Sequence, residues 1–240
     1  MKLQVLALSE THGRADKPSL ISAEDYPGFN IWTTERSGLD KGGGGLAILY
    51  SEQLSAHQYC PAVPAGYENV EKERQWLLIS SGAEKCAFLH VYIACVRTDT
   101  DDYLYWNEQL FHLITSEAKM LKEQGFFIFS LGDYNTRLGQ VPGLENNTPD
   151  TNPNTPMFLT FLEEVNLLVL NTLPMCKEVF TRFMDGPSGI RSRALLDYGL
   201  ISEEKMNYVS SFAIDQDARV ACGSDHALLD CTIKFSYCPK

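Results

Sequence analysis

The chain has 240 residues, 44% of them hydrophobic and 21% charged, with 20 basic against 31 acidic side chains for a net charge of −11. That length and balance fit one domain, 1–240, with a full hydrophobic core; they exclude disorder, and no linker divides the chain. The acidity also argues against a protein that grips nucleic acid by neutralising phosphates across a broad basic face, so the chain binds it locally, binds it weakly, or does not bind it.

The first predicted element runs from Leu3 to Leu8, an apolar strand that stops at Ser9 and Glu10. A lone glutamate at a strand end is usually a turn cap, so Glu10 gains meaning only in company. Residues 14 to 41 are polar, and Tyr26-Pro27-Gly28-Phe29 and Thr33 to Lys41 read as surface turns. Gly42 to Gly45 lead into a strand at Leu46 to Tyr50; with no Lys-Ser or Lys-Thr after the glycines and a strand in place of a helix, a flexible strand entry is a better account than a phosphate loop. Strands follow at Gln75 to Ser80 and Cys86 to Val96, joined through Gly82. His90 and Tyr92 lie two apart on the second, hence on one face.

Acids in Thr98 to Asp102 then open a helix whose apolar spacing runs through Leu104, Phe111, Ile114, Ala118 and Leu121 and stops at Gly125. Directly after it comes the run around which the chain is organised, Phe126 to Asn135. Its apolar body suits a strand buried on both faces, and it delivers Asp133 and Asn135 to its C-terminal rim, where ligands of α/β sheets collect. A Gly- and Pro-rich loop, 139 to 154, leads to a second helix opened by Thr155-Pro156 and to a strand at Leu167 to Leu170. Val179 to Phe183 and Ala194 to Ile201 read as a hairpin whose second strand carries Asp197 inside an apolar run. A buried acid is costly unless paired, and the expected partner lies in Gly223-Ser224-Asp225-His226, just before a strand at Ala227 to Phe235.

Strand ends thus supply Glu10, Asp133 with Asn135, Asp197, and Asp225 with His226. Hard oxygen donors suit a magnesium-class ion, an amide suits a phosphate oxygen, and a carboxylate can fix an imidazole. Together these are the parts for metal-assisted hydrolysis of a phosphate ester. Seven scattered cysteines without a C-x-x-C pair exclude a disulfide framework and a structural zinc site. Apolar runs fall short of the ~18 residues that cross a bilayer, and no leader with a cleavage site is evident, so the expected setting is intracellular, without a membrane partner.

The motifs Leu-Ser-Glu-Thr-His (8 to 12), Leu-Gly-Asp-Tyr-Asn (131 to 135), Phe-Thr-Arg-Phe (180 to 183), Ser-Arg-Ala-Leu-Leu-Asp-Tyr (192 to 198) and Gly-Ser-Asp-His (223 to 226), with the strand of Tyr92, resemble the endonuclease/exonuclease/phosphatase superfamily. Gly-Gly-Gly-Leu-Ala-Ile-Leu and Trp106-Asn107-Glu108 are most similar to the endonuclease domain of non-LTR retrotransposons. The resemblance implies a four-layered α/β sandwich with two central, mostly antiparallel sheets, a Mg²⁺ or Mn²⁺ ion, and DNA as the partner, with no obligate protein partner. It assigns Glu10 and Asp225 to the metal, Asp133 to the attacking water, and Asn135 and Tyr92 to the phosphate. Asp197 would orient His226, which acts on a phosphate oxygen or the water. Arg182, Arg191, Ser192 and Arg193 would contact nucleic acid around the hairpin loop Met184 to Arg191.

Two features depart from the family pattern. The strand-helix unit of ~25 residues that relatives carry before the Glu10 strand is not found, and Cys95 stands where relatives often have Asn or Pro. Three readings follow: a DNA-nicking phosphodiesterase of retroelement origin acting in the nucleus, a degenerate or domesticated copy that keeps the fold and weak binding, and a phosphatase on a small or lipid phosphate.

Overall fold

The computed structural model describes residues 3–11, 21–22, 24–35, 45–68, 70–95, 101–186 and 189–235. The first strands are β1 (Val5–Ser9), β2 (Phe29–Thr34), β3 (Leu46–Ser51) and β4 (Ala56–Tyr59). They are followed by β5 (Arg74–Ser81), β6 (Glu84–Tyr92), α1 (Asp101–Glu123) and β7 (Phe127–Asp133). Then come α2 (Thr155–Val165), β8 (Leu167–Val169), the hairpin β9 (Arg182–Gly186) and β10 (Gly189–Ala194), and β11 (Asp197–Ser202). β12 (Val209–Asp215), α3 (Gln216–Cys222) and β13 (Leu228–Ile233) complete the order.

One sheet of six strands, in the order β4-β5-β6-β7-β11-β8, forms the central layer. Only its β6–β7 pair is parallel, because α1 provides the crossover that parallel neighbours require. Odd and even positions along each strand face opposite layers. On one face Trp76, Leu89, Val91, Ile128, Tyr198 and Leu200 meet Leu110, Phe111 and Ile114 of α1 and Phe158 and Phe161 of α2. On the other face Phe88, Phe127, Phe129 and Ile201 meet a second layer of strands, β1-β3-β2 and β12-β13. Helices, sheet and second strand layer together give the expected α/β sandwich. Among the described residues, β1 pairs only with β3 and β13 only with β12. No helix among them is long and apolar enough to cross a membrane.

Two glycines let the layers close. A Cβ on Gly132 would stand 2.6 Å from the carbonyl oxygen of Val91, and one on Gly199 would stand 2.5 Å from the ring of Phe212. Both are sites of close approach that any side chain would block.

The structure corrects two readings. Of the turns expected at 26–29 and 33–41, the first forms, with Phe29 N donating to Tyr26 O, but Phe29–Thr34 is β2, an outer strand paired along its whole length with β3. Its Phe-Asn-Ile-Trp-Thr-Thr sequence is β-forming, but flanking turn residues mask it. The hairpin expected to join Val179–Phe183 to Ala194–Ile201 is instead confined to β9 and β10. The chain leaves it at Leu195-Leu196, where the backbone N–H groups of Leu196 and Asp197 donate to Thr181 Oγ1, both at 3.0 Å. It then enters the six-stranded sheet as β11, so Asp197 begins a strand and does not interrupt one. The expected helix opening at Thr98–Thr100, His12 and Gly42–Gly44 lie outside the described residues.

Candidate active site

Strand register builds the site. In the β6–β7–β11 ladder Tyr92 stands beside Asp133, and Asp133 beside Asp197. All three side chains share the parity of Phe129 and Ile201, so they face the second strand layer at one rim. Three polar groups separated by up to 105 positions in the chain thereby become neighbours on adjacent strands.

Asp133 is 6% exposed and held from behind. Its Oδ1 accepts from the backbone N–H of Asn135 at 2.9 Å and its Oδ2 from Asn135 Nδ2 at 3.1 Å. Asn135 adopts φ +42°, one of three non-glycine residues with positive φ among the described residues. Its carbonyl explains how that conformation is kept, accepting from Asn152 Nδ2 at 2.7 Å and Asn154 Nδ2 at 2.9 Å. Asn135 Nδ2 also donates to the carbonyl of Ile93 at 2.8 Å, so both amide protons are engaged within the protein.

His226 reaches the rim from the segment before β13. A bridge pairs it with Arg182, flanked by Phe183 N donating to Asp225 O and Ala227 N donating to Thr181 O. Thr181 thus fixes both members of the next pair: His226 Nδ1 lies 2.9 Å from Asp197 Oδ2. Ligand atoms of Asp133, Asp197 and His226 all fall within 4.8 Å of one another. Burial raises the Asp133 carboxyl well above the ordinary range and the charge of Asp197 raises it further, against the opposing pull of His226. Burial alone would lower His226, but the hydrogen bond and charge of Asp197, with Asp133 and Asp225, lift it to about 9.

Glu10 completes the rim from the opposite layer. It follows β1 with φ +55°, and its Oε1 accepts from Tyr92 Oη at 2.7 Å. Its charge is felt at Asp133. Clustered oxygen donors with one buried acid of raised basicity form a set that a divalent cation would relieve, so the residues present fit a magnesium-class ion.

The remaining expected residues fall outside this cluster. Asp225 is exposed and pairs with Arg182 Nε at 3.2 Å. Arg193 lies over the Phe180 ring at 4.2 Å, and Ser192 is exposed beside it on β10. The side chain of Arg191 and residues 187–188 of the loop lie outside the described part. Sequence reasoning missed the supports: Thr181, which sits inside the Phe-Thr-Arg-Phe motif without an evident task, and Asn152 and Asn154, which look like ordinary loop residues.

No protein-family model matches the sequence, and no curated protein matches it. Solved structures do. The endonuclease domain of TRAS1, a telomere-specific non-LTR retrotransposon, is similar at 16% identity and TM-score 0.63, over 98% of this chain and 87% of that one. The 3′ phosphatase NExo from Neisseria, bound to a product DNA hairpin, gives 18%, 0.69, 97% and 89%. The AP endonuclease LMAP from Leishmania major gives 14%, 0.68, 97% and 78%. At these identities the likeness is one of architecture. The chain therefore has the fold of the endonuclease/exonuclease/phosphatase superfamily, the one its motifs resemble.

Proposed function

We propose that this chain is a divalent-metal-dependent phosphodiesterase that nicks DNA, its ancestry shared with retroelement endonucleases. The observation that carries the reading is the juxtaposition of Asp133, Asp197 and His226 within 4.8 Å at the rim where Tyr92 and Glu10 also meet. Glu10 would hold the cation, which when bound would supply positive charge to a phosphate oxygen and acidify a water.

The chain's own groups supply the rest. Asp133, raised in basicity and fixed by Asn135, would orient the attacking water and take its proton. Asp197 holds the His226 ring through Nδ1, which leaves Nε2 to donate to a phosphate oxygen and to offset the charge that builds there. Tyr92 would donate its hydroxyl to the phosphate by exchanging its bond to Glu10. Asn135 reaches the phosphate only by releasing one of its two acceptors, so its resting task is to position Asp133. Arg182, Arg193 and Ser192 on the β9–β10 hairpin would meet the backbone of the nucleic acid, with Arg191 on the same strand, and Asp225 tempers Arg182.

A second reading, a degenerate copy that keeps the fold, binds at most weakly and cuts poorly or not at all, is favoured by the net charge of −11, which opposes a polyanionic substrate. Incubation with supercoiled plasmid and Mg²⁺ or Mn²⁺ separates the two. Nicking that is lost with chelator and falls ~10²- to 10³-fold in His226→Ala supports the hydrolase. Equal nicking by that variant refutes the assigned site. Retained binding with no nicking by the natural chain selects the second reading.

A further inference from the structure

His90 belongs to no part of the mechanism above, yet it is 3% exposed on the same face of β6 as Tyr92. A polar ring buried between layers is costly unless both nitrogens are served, and a leucine would fill the place more cheaply. Both are served. Nδ1 lies 3.0 Å from the carbonyl of Leu131 on β7, and Nε2 lies 3.4 Å from Ser9 Oγ at the end of β1. Burial lowers the pKa of the ring, while the backbone carbonyls of Leu131 on β7 and Leu8 on β1, which accept from it, pull the other way, so the ring ties β7 to β1 through Leu8 as well as Ser9.

The partners give the contact its meaning. Ser9 precedes Glu10, and Leu131 stands two residues before Asp133 on the same strand face. Glu10 and Asp133 come from different layers, so their separation depends on how β1 sits on β6 and β7. At that end of β1, His90 reaches Ser9 and the Leu8 carbonyl, and Tyr92 reaches Glu10, from the six-stranded sheet. If Tyr92 turns to substrate, the His90 contact remains to hold the Glu10 turn.

We infer that His90 is a positioning residue: bridging Leu131 and Ser9, it sets β1 against β7 so that Glu10 and Asp133 face one cation. This rests on the metal-dependent reading, and it adds a determinant of metal affinity that touches neither metal nor substrate.

Calorimetric titration of the full chain with Mn²⁺ tests it. His90→Leu is expected to weaken binding about tenfold, the low end for groups that orient metal ligands. Ser9→Ala should weaken it in the same direction, and the double variant should be no weaker than His90→Leu alone, since both remove one contact. His90→Asn, whose amide can donate to Leu131, should recover part of the loss. Hydrogen exchange supplies a readout that needs no metal: amides at 8–11 should lose protection in His90→Leu while those of β5 to β7 keep theirs. Unchanged Mn²⁺ affinity in His90→Leu and Ser9→Ala overturns the inference. Should the natural chain bind no Mn²⁺, the metal reading fails, and unchanged protection at 8–11 then overturns the inference separately.

Discussion

The two faces of the six-stranded sheet are built differently. On the helical face the aromatic side chains of Phe158, Phe161, Tyr134 and Tyr198 are 0% exposed and stack in one cluster, with ring centroids 4.9 Å apart for Phe158 against both Tyr134 and Tyr198. On the other face Val5, Ala7, Leu229, Cys231 and Ile233 are only partly buried, and the covering layer comes in two separately paired pieces. The site draws on both. Asp133, Asn135, Asp197 and Tyr92 ride on the sheet itself, while Glu10 and His226 arrive from β1 and from the entry to β13. One half of the rim is fixed by the sheet's own ladder, and the other by how a less buried layer docks onto it. Chemistry that needs both halves is therefore more easily lost than the fold.

The comparison breaks most visibly where the helical face buries charge. Arg74 Nε donates to Glu117 Oε2 at 2.7 Å, Trp76 Nε1 donates to the same oxygen at 2.7 Å, and the two charged side chains are 6% and 5% exposed. Glu117→Ala would strand a guanidinium and an indole N–H in the core, at a cost of about 3–5 kcal/mol measured by denaturant unfolding. A loss under about 1 kcal/mol would mean that α1 packs more loosely than its burial implies.

A smaller effect tests the other face. Leu229 on β13 is partly buried opposite Ile214 of β12, so Leu229→Ala should cost about 1 kcal/mol, below the range for fully buried leucines. Hydrogen exchange should then show β12 and β13 opening before β5 to β7. If β7 loses protection together with β13, the two layers unfold as one unit and the contrast between them fails.

Much of this was legible because buried strands that end in acids leave a clear trace: an apolar run, then Glu10 or Asp133. Asp197 was visible as a charge beside Leu195 and Leu196, and its partner His226 was found as the imidazole nearest a later strand. What stayed hidden depends on pairing between distant segments. β4, Ala-His-Gln-Tyr, is an edge strand with little apolar signal, and α3 is seven residues behind its Asp215 cap, too short for helical periodicity to register. The switch at Leu195-Leu196 from hairpin to central sheet is invisible because apolar content continues across it. Likewise, nothing local to His90 announces a bond to Ser9, 81 positions away.

The last expectation concerns protons at the join between the two halves. The neighbouring carboxylates lift His226 to about 9, above its ordinary 6.5. A folded-state pKa above the unfolded one means that the charged pair contributes its full stabilisation below about pH 6.5 and loses it as pH rises through about 9. In metal-free protein the imidazole resonances of His226 should therefore titrate near 9 by NMR. Asp197→Asn removes the hydrogen-bonded charge and should bring that midpoint down by about 1–3 units. The stability gap between natural chain and variant should be largest below about pH 6.5 and shrink as pH rises through about 9. A midpoint near 6.5 in the natural chain would mean that the segment before β13 does not dock on Asp197 in solution, so that the rim is assembled only when substrate or cation draws its mobile half in.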